Sequence, residues 1–202
     1  FYSYEEDGNA PAQINNSYAQ GNVIGQEQIG GLVGFLDAAS VGEPTIKNSH
    51  AIGNISINAG AERSSEIGGL IGWQSGGYVK SSYATGDVTG DLSYGTYSVG
   101  GLIGWARLAW SVYDKIEECF ATGKVIAGET AGGLIGSGEG QSGSINEKYI
   151  NCYAMSDVEC SAYTGGFIGY STHNNIYKHC YSAGQVTGSS NVGGFCGEAD
   201  SG

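Results

Sequence analysis

The sequence predicts an all-β protein, a parallel β-solenoid of about six stacked repeats, and three observations carry that prediction. One phrase returns six times: Gly30-Gly31-Leu32-Val33-Gly34, then Gly68-Gly69-Leu70-Ile71-Gly72, Gly100-Gly101-Leu102-Ile103-Gly104, Gly132-Gly133-Leu134-Ile135-Gly136, Gly165-Gly166-Phe167-Ile168-Gly169 and Gly193-Gly194-Phe195-Cys196-Gly197. Its first glycines fall at 30, 68, 100, 132, 165 and 193, with spacings of 38, 32, 32, 33 and 28 residues. Such a period marks a stacked array. A second phrase runs between the first: Asn16-Ser17-Tyr18-Ala19-Gln20-Gly21-Asn22-Val23 recurs around His50, Tyr83, Phe120, Tyr153 and Tyr181. Amphipathic helix patterns are missing, and the stretches between phrases, such as 87–98, are rich in the turn formers Gly, Ser, Thr and Asp.

Residues 1–13, with Glu5, Glu6, Asp7 and Pro11, match no repeat position and read as a lead-in. The repeats start at Ile14 and run through 14–202 with no composition break that would mark a second domain. In the Ser-Tyr-Ala phrase, Ser17, Ala19, Gly21 and Val23 share one face by the two-residue alternation of strands, as do Ser82, Ala84, Gly86 and Val88. The aromatic residues point the other way, so the small face is expected to meet another sheet at close range. The Gly-Gly-Leu-Ile-Gly phrase alternates too, placing Leu70 on one face and Ile71 with Trp73 on the other, as in a strand buried on two sides. Parallel coils about 4.8 Å apart would stack like positions over one another, and six coils would make a rod of about 30 Å. The expected structural ladder is Leu32, Leu70, Leu102, Leu134, Phe167 and Phe195. Each fully buried side chain of that kind contributes on the order of 1.5–3 kcal/mol before entropy is counted. The repeat leaves open the hand of the coil and whether two or three strands make each turn.

Glycine supplies 37 of 202 residues and proline only 2, but the glycines follow the long period, which excludes a collagen and a Pro-rich linker. Net charge is −12 with only 8 basic residues, too few to neutralise a run of phosphates, so no nucleic-acid partner is expected. No segment approaches the ~18 apolar residues of a membrane span, and no basic-then-apolar signal peptide opens the chain. The chain starts at Phe1 and ends five residues beyond the sixth phrase without an evident cap. A solenoid needs capped ends, so a fragment of a longer protein is expected.

The Gly-Gly-Leu-Val-Gly core together with Asn-Ser-Tyr-Ala-x-Gly-x-Val resembles the GLUG repeat. That repeat is found in large bacterial surface proteins, adhesin-like and haemagglutinin-like, and before the catalytic domain of IgA-cleaving metallopeptidases. The resemblance covers about residues 14–197 in six copies. It implies an exported or cell-surface solenoid, extracellular in location, and transfers no catalytic residue. The chain departs from the pattern at Ser156, where Gly is usual, and at Cys196, where Ile is usual, which puts the regularity of the last coils in question.

Each residue that carries chemistry has a plain structural reading beside the functional one. Cys119, Cys152 and Cys180 occupy the position of Ser17, Ser49 and Ser82, either as small buried groups or as a metal site or disulfide. Cys160 lies in a variable stretch and is the expected exposed thiol, while Cys196 takes a core position. His50 stands where Tyr18 and Tyr83 stand, and His173 and His179 flank a loop, so no zinc-protease pattern forms. Along the stack the x of Gly-x-Val is Asn22, Asn54, Asp87, Lys124, Asp157 and Gln185, a mixed polar ladder that reads as a solvated face more readily than as a carboxylate pair. No cofactor and no metal are expected. Phe35, Trp73, Trp105 and Tyr170 follow the glycine phrase directly and form the candidate surface-contact stripe, broken by Ser137. Exposed, it would stack sugar rings or meet a partner protein; covered, it is outer core.

The resulting expectation is a non-catalytic structural or adhesive module of a bacterial surface or secreted protein. Its expected partners are a host or neighbouring-cell surface protein or glycan, and a further copy added end to end into a fibre. The alternatives are the non-catalytic repeat region of a secreted peptidase or glycan-degrading enzyme, and a carbohydrate-binding module.

Overall fold

A computed structural model of the chain describes residues 11–38, 45–58, 64–92, 96–108, 111, 113–140 and 147–200. The expected lead-in falls largely outside these residues, and the first strand, Gln13–Asn15, already pairs with the next coil. Among the described residues every element is a strand, and every strand pairing is parallel. No helix there is long and apolar enough to cross a membrane. Each coil contributes five short strands; in the third coil these are Tyr78–Lys80, Tyr83–Ala84, Val88–Thr89, Thr96–Gly100 and Ile103–Arg107. Equivalent strands of successive coils pair into five six-stranded sheets, here called the first to fifth faces. The β-solenoid of six repeats is therefore found, with five strands per turn instead of two or three.

Corners explain the motif residues. Between the first and second faces sits Asn16, Asn48, Ser81, Glu118, Asn151 or His179, each in the left-handed region with φ between 47° and 55°. Asn tolerates that region better than most residues, which accounts for its place in the phrase. Between the fourth and fifth faces the Gly-Gly-Leu corner carries the expected ladder. Leu32, Leu70, Leu102, Leu134 and Phe167 each donate their amide to the carbonyl of the next member, ending at Phe195, over 2.8–3.0 Å. The four inner members are fully buried, and the two in the end coils are partly buried. The small face of the Ser-Tyr-Ala strand does approach this corner closely: a Cβ placed on Gly69 would lie 2.7 Å from the Cβ of Ala84.

The expected alternation of Leu70 and Ile71 across one strand is not found. Leu70 and Ile71 do not lie on opposite faces of one strand, because the strand ends at Gly68 and a new one starts at Ile71. The backbone bends between them, so both side chains enter the same core, and only Trp73 turns outward. A second core fills the space between the third and fourth faces, built from Ile55, Val88, Val125 and Val158 against Ile29, Ile67, Val99 and Ala131. Neither motif departure disturbs the register. Val158, two residues after Ser156, pairs with Val125 and Val186, and Cys196 pairs with Ile168. The Ser156 hydroxyl donates to the carbonyl of Gly133 at 3.1 Å.

Candidate functional site

The stripe stands on the fifth face. Phe35, Trp73, Trp105, Ser137, Tyr170 and Glu198 are in register on successive strands. Phe35 and Trp73 have ring centroids 4.8 Å apart, and Trp73 and Trp105 stack at 5.4 Å with planes 11° apart. The four aromatic members are all half-buried. The stripe is thus neither bare nor covered: Phe35, Trp73 and Trp105 shelter one another's faces, while Tyr170 stands apart beyond Ser137.

A second wall, which the sequence reading missed, runs beside it on the fourth face. It comprises the residues two before each Gly-Gly pair: Gln28, Glu66, Ser98, Thr130, Tyr163 and Asn191. Gln28, Glu66, Ser98 and Asn191 have φ between 49° and 58°, a left-handed step in the strand. Ser98 donates its hydroxyl to Ser137 Oγ at 2.8 Å, the Asn191 amide donates to Glu198, and the Tyr163 and Tyr170 rings lie 5.4 Å apart. The fixed offset from the glycine pair was a usable signal, but residue type at this offset varies too much to announce a column.

Where Ser137 interrupts the stripe, the two walls enclose a hollow of about 300 Å³ lined by Glu66, Tyr97, Ser98, Trp105, Ser137 and Tyr170. An adjoining hollow of about 280 Å³ shares Tyr97, Ser98, Ser137 and Tyr170 and adds Glu129 and Tyr163. Burial pushes the Glu66 carboxyl above the usual carboxylate range against the pull of the Ser65 hydroxyl, which donates to it at 2.8 Å, and Glu27 adds to the rise. The hollow combines flat ring surfaces with hydroxyl and carboxylate groups, a combination that suits a ligand with one apolar face and polar edges.

Other candidate residues serve the stack itself. On the second face Tyr18, His50, Tyr83, Phe120, Tyr153 and Tyr181 form a column with centroids 4.6–5.3 Å apart and planes within 8° of parallel. His50 lies between two tyrosine faces. Cys119, Cys152 and Cys180 continue the serine column: Ser49 and Ser82 donate to the carbonyls of Lys47 and Lys80, and Cys119 and Cys152 donate to those of Glu117 and Ile150. All five cysteines are free thiols. A hydrogen bond with the Cys119 thiol, helped by burial and opposed by Cys180, pushes the Cys152 thiol up. Cys180 is raised by its hydrogen bond with Cys152 and then by burial. Cys160 is 4% exposed and sits in the second core, so it is not the exposed thiol; Cys180 and Cys196 are the more accessible pair. Among the described residues no three His, Cys, Asp or Glu side chains are grouped to hold a metal ion.

The mixed polar ladder has a definite use. Asn22 accepts the backbone amide of Asn54, Asn54 that of Asp87, Asp87 that of Lys124, and Asp157 that of Gln185, over 2.8–3.0 Å. Each side-chain oxygen caps the next coil at an exposed corner, which explains why Asn and Asp are favoured there.

Over 127 residues the chain is 37% identical to Halomucin of Haloquadratum walsbyi (strain DSM 16790 / HBSQ001), a match that takes in 61% of this chain and 1% of Halomucin. The chain therefore spans about one hundredth of the length of the curated relative it matches. No family model matches the chain. No solved structure matches it either.

Proposed function

We propose that the chain is a non-catalytic structural and adhesive module, of the GLUG type, within a large cell-surface or secreted protein. The observation that carries this reading is how the reactive side chains are employed. His50 is a rung between Tyr18 and Tyr83, the Cys119 and Cys152 thiols reach the carbonyls of Val79 and Ile116 in the coil before, and Asp87 and Asp157 cap neighbouring coils. Groups committed to holding coils together are poorly placed to exchange protons with a substrate. The similarity to a short part of Halomucin supports a repeat module inside a long protein, and its name, that of a mucin, favours an extracellular or surface location. Contact with a neighbouring-cell protein or glycan, and end-to-end addition of further copies, belong to the same reading. The repeat region of a secreted peptidase or glycan-degrading enzyme is the second reading, carried by the same phrases.

Antibody labelling of intact producer cells and of the culture medium tests the proposal. Label on the cell surface or in the medium is expected. Label that appears only after the cells are permeabilised would reject it.

A further inference from the structure

The outward column of the fifth face is a stack of flat rings with one rung missing. Trp105 and Tyr170 flank Ser137 in register. Strands one coil apart are spaced about 4.8 Å, so these two rungs stand about 10 Å apart across the Ser137 strand. A ring lying midway would be about 5 Å from each, within the 4.5–7 Å or so at which flat rings attract. One face of the Trp105 indole is covered by Trp73 at 5.4 Å. Its other side lines the hollow, where the column supplies only the hydroxymethyl group of Ser137.

The rest of the lining is polar. Glu66 offers a carboxylate of which one oxygen accepts from Ser65, Ser98 and Ser137 offer paired hydroxyls, and Glu129 lies in the adjoining hollow. Two carboxylates and a net charge of −12 repel an anionic ligand. We propose that the gap at Ser137 binds one neutral pyranose ring of a glycan, with its C–H faces against Trp105 and Tyr170 and a hydroxyl donating to Glu66. This deepens the surface-contact reading and rests on it. A quaternary ammonium is the competing guest, since cations also sit within about 6 Å of ring faces. It carries no proton for Glu66 or the serines and would leave these acceptors unsatisfied, so the polar lining favours the sugar.

The test titrates the 202-residue chain with neutral tetrasaccharides of glucose, mannose and galactose, with a galacturonic acid tetramer, and with tetramethylammonium chloride, following the Trp105 indole N–H by NMR. A neutral tetramer is expected to shift this signal and the acidic tetramer to leave it unmoved. Ser137→Trp fills the gap with the side chain found one coil earlier and should weaken binding about tenfold or more. Tyr170→Ser, which copies the residue already tolerated at Ser137, should weaken it similarly and serves if Ser137→Trp does not fold. Tyr18→Ala on the second face should leave binding unchanged. Binding that survives the gap variants overturns the site while leaving the surface reading intact. A shift with tetramethylammonium alone, or with none of the neutral tetramers at millimolar concentration, overturns the sugar assignment.

Discussion

A methyl group on Gly101 would lie 2.9 Å from the Cβ of Ala121 and would also fall on the carbonyl oxygen of Gly133. The second face and the glycine corner therefore meet with no room for one more carbon. Gly101→Ala is expected to cost about 2–4 kcal/mol, because backbone must move to admit the methyl. For a chain of this length that lowers the melting temperature by roughly 5–15 °C. Gly194 holds the same place in the last coil and has no neighbour within 4 Å of its would-be Cβ. Gly194→Ala should stay within about 0.5 kcal/mol. Circular dichroism melts of the two variants check this, and equal losses would show that close approach is not the cause.

The polar corner ladder has one faulty rung. Lys124 has no acceptor to offer the next coil, and its ammonium pairs instead with Glu159 at 3.0 Å on the surface. An exposed pair of that kind contributes about 0–1 kcal/mol. Lys124→Asn would restore the acceptor that Asn54 and Asp87 provide in the coils before it. A gain of about 0.5–1 kcal/mol is expected in a urea titration. Lys124→Met, which loses the ion pair without adding an acceptor, should give none.

The columns were legible in the sequence for the same reason that they are stable. A hole between coils has one shape, so Leu70, Leu102 and Leu134 recur where that shape recurs. The five-fold division of each turn was hidden, since strands such as Tyr83–Ala84 are only two residues long and show no alternation. The bend between Leu70 and Ile71 was hidden too, because an apolar run reads alike whether it crosses a corner or continues a strand. Cys160 was misplaced for a related reason. Its stretch looks variable, yet it is in register with buried Ala127. Of the candidate site, the aromatic stripe was legible from its offset to the glycines. The facing wall was not, because Glu66, Ser98 and Tyr163 share a position without sharing a chemistry.

Thiol accessibility and alkaline stability follow from the same burial. Cys180 and Cys196 should react first with a thiol reagent, whereas Cys119, Cys152 and Cys160 should react only after denaturant is added. Five fast thiols in the native chain would contradict the stack. Burial holds the Cys160 and Cys196 thiols above their ordinary range, and the contact with Cys119 does so for Cys152. In the unfolded chain these groups ionise near pH ~8.5. Above that pH the folded chain holds more protons than the unfolded one, so stability falls as pH rises. Below it their contribution is fully present. Tyr78 is pushed up to about 12 by burial and its bond to Glu117, and burial also raises Tyr149 and Tyr177. The loss should therefore steepen beyond pH ~10, where unfolded tyrosines ionise. Melting temperatures measured from pH 7 to 11 check the direction.

The ring column of the second face offers a direct test of whether His50 does chemistry or holds coils together. Phe120 stacks on Tyr83 at 4.7 Å and on Tyr153 at 4.9 Å, so Phe120→Ala loses two ring contacts together with half-buried apolar surface. A cost of about 2–3 kcal/mol is expected. Tyr18, at the end of the column, stacks on His50 alone within it and is 66% exposed, so Tyr18→Ala should cost about 1 kcal/mol or less. His50 is half-buried like Phe120 and also has two ring neighbours, at 5.3 Å and 4.6 Å. If its task is to be a rung, His50→Tyr should leave the melting temperature unchanged or raise it, since a tyrosine fills the same place in four other coils. His50→Ala should then behave like Phe120→Ala. A chain in which His50→Ala melts as the parent does would show that the stack does not depend on that ring, and would reopen a role for the imidazole.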